Sequence, residues 1–178
     1  MTCAVMLLLM PFTVVSSWDD KPDESRRVYD AQKKFSIIPP PGWDEKTKNE
    51  SPSHILTRTG KLVDSFSNFN VKRINMNGDE TPLKEIAGFI KQEYKKTNPS
   101  FVVLEEKELK IDGKEAYVIY CQHEKTQGTS SAKFRAGSYI LKADKNTSYV
   151  VTFTIMPAVY ERLKPKVEES AATIRMVP

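Results

Sequence analysis

FVVLEEKELKIDGKEAYVIYCQHEKTQGTSSAKFRAGSYILKADKNTSYVVTFTIM, residues 101–156, decides the fold. It holds four strand-like runs: Phe101 to Ile111, Lys114 to Glu124, Ala132 to Lys142 and Ser148 to Met156. All are rich in Val, Ile, Tyr and Phe, which suit a pleated, half-buried surface. Asp112-Gly113 is a two-residue hairpin signal, because both positions tolerate positive φ. Ala143 to Thr147 is a polar turn joining the last pair. Adjacent strands joined by short turns demand an antiparallel sheet.

Upstream, the period changes. Thr81-Pro82 predicts a helix start, with a hydroxyl cap and Pro at the first helical position. Leu83, Ile86, Ala87, Ile90 and Tyr94 follow at helical spacing as one apolar stripe. Lys91, Lys95 and Lys96 crowd the last turns, where the helix dipole favours cations, and Asn98-Pro99 ends the helix. Earlier still, strands are predicted over Arg27 to Tyr29, Lys34 to Ile38, His54 to Thr59 and Asn68 to Met76. In the last of these, Phe69, Val71 and the stem of Arg73 lie on one side and Asn70, Lys72 and Ile74 on the other. Pro39-Pro40-Pro41-Gly42-Trp43 stops pairing, turns the chain and lets Trp43 fold back onto the core. Residues 44–53 read as a solvated loop. Downstream of the four strands, Val159, Leu163, Val167, Ala171 and Ile174 recur at helical spacing. Pro157 opens that helix, and Pro165 predicts a kink or a second start. The resulting class is α/β (α+β): an antiparallel sheet sandwiched between two helices.

The composition bounds the rest. A chain of 178 residues with 39% apolar and 28% charged residues suits one domain. The net charge of +4 comes from 27 Lys and Arg interleaved with 23 Asp and Glu. No concentrated basic stripe results, so a nucleic-acid partner is not expected. Ala4 to Val15 is an uncharged apolar run, too short to span a membrane and fitting the core of a signal peptide. Residues 1–17 are therefore expected to be removed before Trp18, the alternatives being an uncleaved anchor or a buried N-terminal strand. They leave a flexible leader over 18–27, a domain over 28–176 and no stable membrane span. The address expected is exported: periplasmic, extracellular or lumenal. Cys3 precedes the apolar run, so lipidation is not expected, and Cys121 alone remains after processing, without an internal disulfide.

Four stretches resemble the PsbP-like family and the related DcrB-like bacterial proteins. Phe35-Ser36-Ile37-Ile38 with Pro41-Gly42-Trp43 is similar to a family strand ending in Pro-Gly-Trp. The helix at 81–96 sits where the family's first helix sits. Gly137-Ser138-Tyr139 through Tyr149-Val150-Val151-Thr152-Phe153 is similar to its final hairpin. Glu168-Glu169-Ser170-Ala171-Ala172-Thr173-Ile174-Arg175 is similar to its closing helix, with Thr173-Ile174 in place of Ser-Phe. The resemblance implies the fold, a PsbP-like α/β/α sandwich, and often an exported address. Some members are extrinsic subunits of photosystem II; nothing catalytic is carried over.

No nucleophile elbow, HExxH or Gly-rich phosphate loop occurs, and no cofactor is implied. The histidines are His54 and His123. Cys121 and His123 share a strand face at i and i+2, but two ligands do not make a zinc site. Cys121 is therefore read as a packed thiol and His123 as a strand-end residue. Glu105, Glu106 and Glu108 alternate with Lys107 and Lys110 as a solvated strand surface. The aromatics Tyr117, Phe134, Tyr139, Tyr149 and Phe153 read as core. Pro41, Gly42 and Trp43 form a structural anchor or, alternatively, the wall of a pocket. Lys84, Lys91, Lys95 and Lys96 form a candidate docking face for an anionic partner, or a solvated helix surface. Asn146-Thr147-Ser148 and Asn49-Glu50-Ser51 fit the N-glycosylation pattern, which has meaning only in a eukaryotic secretory pathway.

Three functions follow from these residues. The first is a non-enzymatic exported accessory protein that binds an unknown protein partner. The second is a small-molecule or metal-binding, enzyme-like domain with a pocket near Trp43. The third is a photosystem II accessory or assembly subunit.

Overall fold

The computed structural model describes residues 22–43, 45–46, 54–59, 67–76, 80–127 and 130–177. Among them, ten strands and two helices follow in chain order. The strands are β1 (Val28–Tyr29), β2 (Phe35–Ile37), β3 (Glu45–Lys46), β4 (His54–Thr59), β5 (Asn68–Asn75), β6 (Val102–Ile111), β7 (Lys114–Gln127), β8 (Ser130–Lys142), β9 (Thr147–Ile155) and β10 (Arg175–Met176). The helices are α1 (Leu83–Thr97) between β5 and β6, and α2 (Pro157–Ala172) between β9 and β10.

Seven strands form one antiparallel sheet in the order β3-β4-β5-β9-β8-β7-β6. Side chains alternate across it, so each strand divides between two cores. On β7, Ala116, Val118 and Tyr120 join Tyr160, Leu163, Val167 and Ala171 of α2. The intervening Tyr117, Ile119 and Cys121 join Ile86 and Ala87 of α1. One helix thus covers each face, which makes the molecule the expected α/β/α sandwich. The expected aromatic core also holds: Tyr117, Phe134, Tyr139, Tyr149 and Phe153 are all buried.

The α2 face carries a second layer that the strand pattern alone did not suggest. A three-stranded antiparallel sheet, ordered β1-β2-β10, places Phe35, Ile37 and Met176 in the α2 core. Two side-chain hydroxyls at the end of α2 tie it to the Ile38 backbone. Ser170 Oγ donates to the Ile38 carbonyl at 2.6 Å, and the Ile38 N–H donates to Thr173 Oγ1 at 2.8 Å. The described residues also include 22–27, upstream of the domain expected over 28–176. Asp23 caps a 3-10 turn at Glu24–Arg26. The Arg27 side chain, only 3% exposed, donates to Glu24, Ser36 Oγ and the Thr173 carbonyl. A buried guanidinium needs such a set of acceptors, and these join the chain's two ends.

The turns follow their residues. Asp112 and Gly113 have φ of 54° and 71°, giving the hairpin turn with both central residues left-handed. Trp43 N–H bonds to the Pro40 carbonyl at 3.0 Å with Gly42 at φ 79°. This is a turn with Pro41 first and a positive-φ glycine second.

Three local expectations are corrected. Thr81 does not cap α1: Pro82 is itself the N-cap, with ψ of 145° and no side-chain cap bond, because a proline's fixed φ fits the extended cap as well as the first helical position. Pro165 begins no second helix: α2 runs unbroken from Pro157 to Ala172. Pro165 and Glu161 are both exposed, so the carbonyl that loses its partner four residues back belongs to the solvent side. Within the loop expected at 44–53, Glu45 and Lys46 pair with Thr59 and Arg58 as β3; residues 44 and 47–53 lie outside the described set.

Candidate functional site

Where α1 begins, it stops short of the ends of the β6–β7 and β8–β9 hairpins. Two adjoining clefts open there. One, about 450 Å³, is lined by Pro82, Leu83 and Lys84 of the helix start and by Glu108, Lys110, Glu115 and Tyr117 of the hairpin. The other, about 570 Å³, shares Pro82, Leu83 and Glu115 and adds Glu80, Lys114, Lys142, Asp144 and Lys145. Four charged side chains line the first and the second adds five, so nine in all surround the opening.

Charged groups elsewhere in the fold find each other. Lys91 Nζ meets Glu106 Oε1 at 2.6 Å, Lys96 meets Glu93 at 2.6 Å, and Arg135 meets Glu161 at 2.8 Å. Lys107 and Lys164 share Glu105. Among the described residues, none of the nine cleft side chains joins an ion pair. Lys114 and Lys142 donate instead to the carbonyls of Ala143 and Thr81, at 3.3 and 3.5 Å. Asp144 accepts the Asn146 N–H at 2.7 Å. The cleft is therefore a patch of both signs with its charges uncommitted.

The four lysines singled out in the sequence separate in space. Lys84, Lys91 and Lys95, spaced by seven and four residues, share one side of α1, while Lys96 lies about 100° round from Lys95. Lys84 reaches the cleft; Lys91 and Lys96 are held by Glu106 and Glu93; Lys95 is exposed. Glu106 is not the solvated carboxylate its strand pattern suggested. It accepts from Lys91 and from the Tyr117 hydroxyl, and these bonds hold its pKa below the ordinary value. The same bond to Glu106, with burial behind it, pushes the Tyr117 hydroxyl up to about 12.

Pro41 and Gly42 form the turn that delivers Trp43 to the α2 core. Trp43 is 0% exposed, stacked on Phe69 with ring centroids 6.4 Å apart and tilted against Phe153 at 6.3 Å. Its indole N–H has no hydrogen-bond partner among the described residues. Neither described cleft touches it. Cys121 packs in the α1 core, where burial pushes its thiol up to about 11. His123 is not at a strand end, because β7 continues to Gln127; its ring stacks on Phe134 with centroids 5.8 Å apart. The His54 backbone belongs to β4, and its side chain lies outside the described residues, as does the apolar run at residues 4–15. Among the described residues, no three His, Cys, Asp or Glu side chains gather as a metal site. No described helix is long and apolar enough to cross a membrane.

Sequence reasoning missed Glu80, Lys110, Lys114, Glu115, Lys142, Asp144 and Lys145 as a group. They come from four separate segments, and each alone reads as ordinary surface.

No family model and no curated protein matches the sequence. Solved structures do match. The Ran-binding protein Mog1p of Saccharomyces cerevisiae superposes with a TM-score of 0.65 at 12% identity, over 85% of this chain and 95% of its own. PsbP of the cyanobacterium Synechocystis sp. PCC 6803 superposes with a TM-score of 0.62 at 11% identity, over 85% and 91%. The fold is PsbP-like. LpqN of Mycobacterium tuberculosis, a protein involved in cell envelope biogenesis, shares this PsbP-like architecture, with a TM-score of 0.57 at 9% identity over 85% and 90%. At such identities the likeness extends to the fold and not to any residue's role.

Proposed function

We propose that this chain is an exported, non-enzymatic accessory protein that binds a partner protein through the charged cleft at the start of α1. The observation that carries the reading is the set of nine cleft side chains without an ion pair among the described residues. A partner presenting both signs would meet complementary charges here, which steer encounter and fix register more than they add raw affinity. The Ran-binding description of Mog1p supports protein binding as a use to which this fold is put. The signal-like run at residues 4–15 supports export.

Photo-crosslinking residues placed at Lys84 and Lys145 in the producing cells should each capture the same single protein. The same residue at Lys33, an exposed lysine lining neither cleft, should not. Lys84→Glu should lower the Lys145 capture, as should high salt. Equal capture at all three positions, or none at Lys84 and Lys145, would reject the docking site. Mass spectrometry of the native chain should find an N-terminus at or near Trp18; intact Met1 would reject export.

A further inference from the structure

The β8–β9 turn holds a motif that the docking cleft does not use. Asn146 is exposed at the turn. Its backbone is fixed on both sides: its N–H bonds to Asp144 Oδ1 at 2.7 Å, and its carbonyl accepts the Met76 N–H at 2.7 Å. Its side-chain amide bonds to none of the described residues and is free to carry a substituent. Two positions on, Ser148 is 0% exposed, and its hydroxyl has no partner among the described residues. It lies on the α1 face of β9, the face of Val150. A buried hydroxyl without a partner is a cost that alanine would avoid. Among the described residues, the folded state therefore gives no reason for a hydroxyl at 148.

The sequence does. Asn146-Thr147-Ser148 is an asparagine with a hydroxyl two residues later and no intervening proline, which is the acceptor pattern for N-linked glycans. We infer that Asn146 is an N-glycosylation site, and that the Ser148 hydroxyl serves recognition of the unfolded chain. This inference rests on the export reading above, with a eukaryotic secretory pathway as the route. In the transfer, Asn146 Nδ2 bonds to C1 of the first sugar of a lipid-linked oligosaccharide diphosphate. The C1–O bond to the diphosphate breaks, its electron pair leaves with the lipid diphosphate, and an amide proton passes to a base of the transferase. Ser148 is out of reach once β9 has paired, so transfer precedes closure of the β8–β9 hairpin. The glycan would then stand beside Asp144 and Lys145, at the rim of the charged cleft.

The full chain purified from its source organism decides this by intact mass and fragmentation of the peptide containing Asn146. A hexose-containing adduct on Asn146 is expected. A processed chain with unmodified Asn146 overturns the site while leaving export intact; a chain that keeps Met1 and bare Asn146 overturns both. In the same host, Asn146→Gln should lose the adduct and Ser148→Thr should keep it. Ser148→Ala should lose it while its urea midpoint stays the same or rises. An adduct that survives in Ser148→Ala overturns the role given to Ser148.

Discussion

Replacing Trp43 with alanine tests the α2 core at its largest fully buried side chain. An indole buries about 200 Å², which at about 25 cal/mol per Å² is worth about 5 kcal/mol. Its N–H reaches no partner among the described residues, and leaving such a donor buried costs about 1–3 kcal/mol. The difference is about 2–4 kcal/mol, and the void left between Phe69 and Phe153 adds about 1 kcal/mol more. Trp43→Ala should therefore destabilise by about 3–5 kcal/mol. Trp43→Phe keeps a ring against Phe69 and removes the unpaired donor, so its cost should be under about 1 kcal/mol. Urea unfolding followed by far-UV circular dichroism measures both, since the substitution removes the natural fluorophore of the core. A Trp43→Ala loss below about 1 kcal/mol would refute the anchoring role. If Trp43→Phe cost as much as Trp43→Ala, the indole N–H would have a partner and the reasoning about its burial would fail.

Two other outcomes follow from the α1 face. Glu106 has its folded pKa depressed by Lys91 and Tyr117, so its stabilisation is present above the unfolded carboxylate value, about 4.3, and is lost as pH falls through the lower folded value. The stability gap between the native chain and Glu106→Gln should thus be full near neutrality and shrink below about pH 4; a gap unchanged from neutral to acidic pH in urea titrations would contradict the two hydrogen bonds. Cys121, with its thiol raised to about 11 and buried against α1, should react slowly with a disulfide reagent in buffer and rapidly in urea. Comparable rates in the two conditions would place the thiol at the surface.

Short-range physics made much of this fold legible in the residues. Asp112-Gly113 closes a hairpin because its own backbone preferences suit that turn, whatever surrounds it. The Val, Ile, Tyr and Phe content of β6 to β9, the alternation on β5 and the stripe on α1 are properties of single elements, and they led to the sandwich directly. The boundary errors were local as well: at Pro82 and Pro165 the proline's geometry allowed two outcomes, and solvent exposure settled the second. The three-stranded sheet is different. β10 is two residues long and carries no pattern of its own; it becomes a strand because α2 delivers Arg175 and Met176 beside Ser36 and Phe35. Arg27, at the junction of the expected leader and first strand, owes its buried place to acceptors from Ser36 and from Thr173, 146 residues away.

The candidate site belongs wholly to that second kind. Glu80, Lys110, Glu115, Lys142 and Lys145 have nothing in common along the chain. They meet because the helix begins where two hairpins end, and that depends on how α1 sits on the sheet. Charge by itself has no periodicity that demands a neighbour, and a surface lysine costs the same wherever water reaches it. The residues therefore determined the layers, while only the packing of α1 against β7 and β8 decided which charges would share a cleft and which, like Lys91 and Glu106, would be spent on each other.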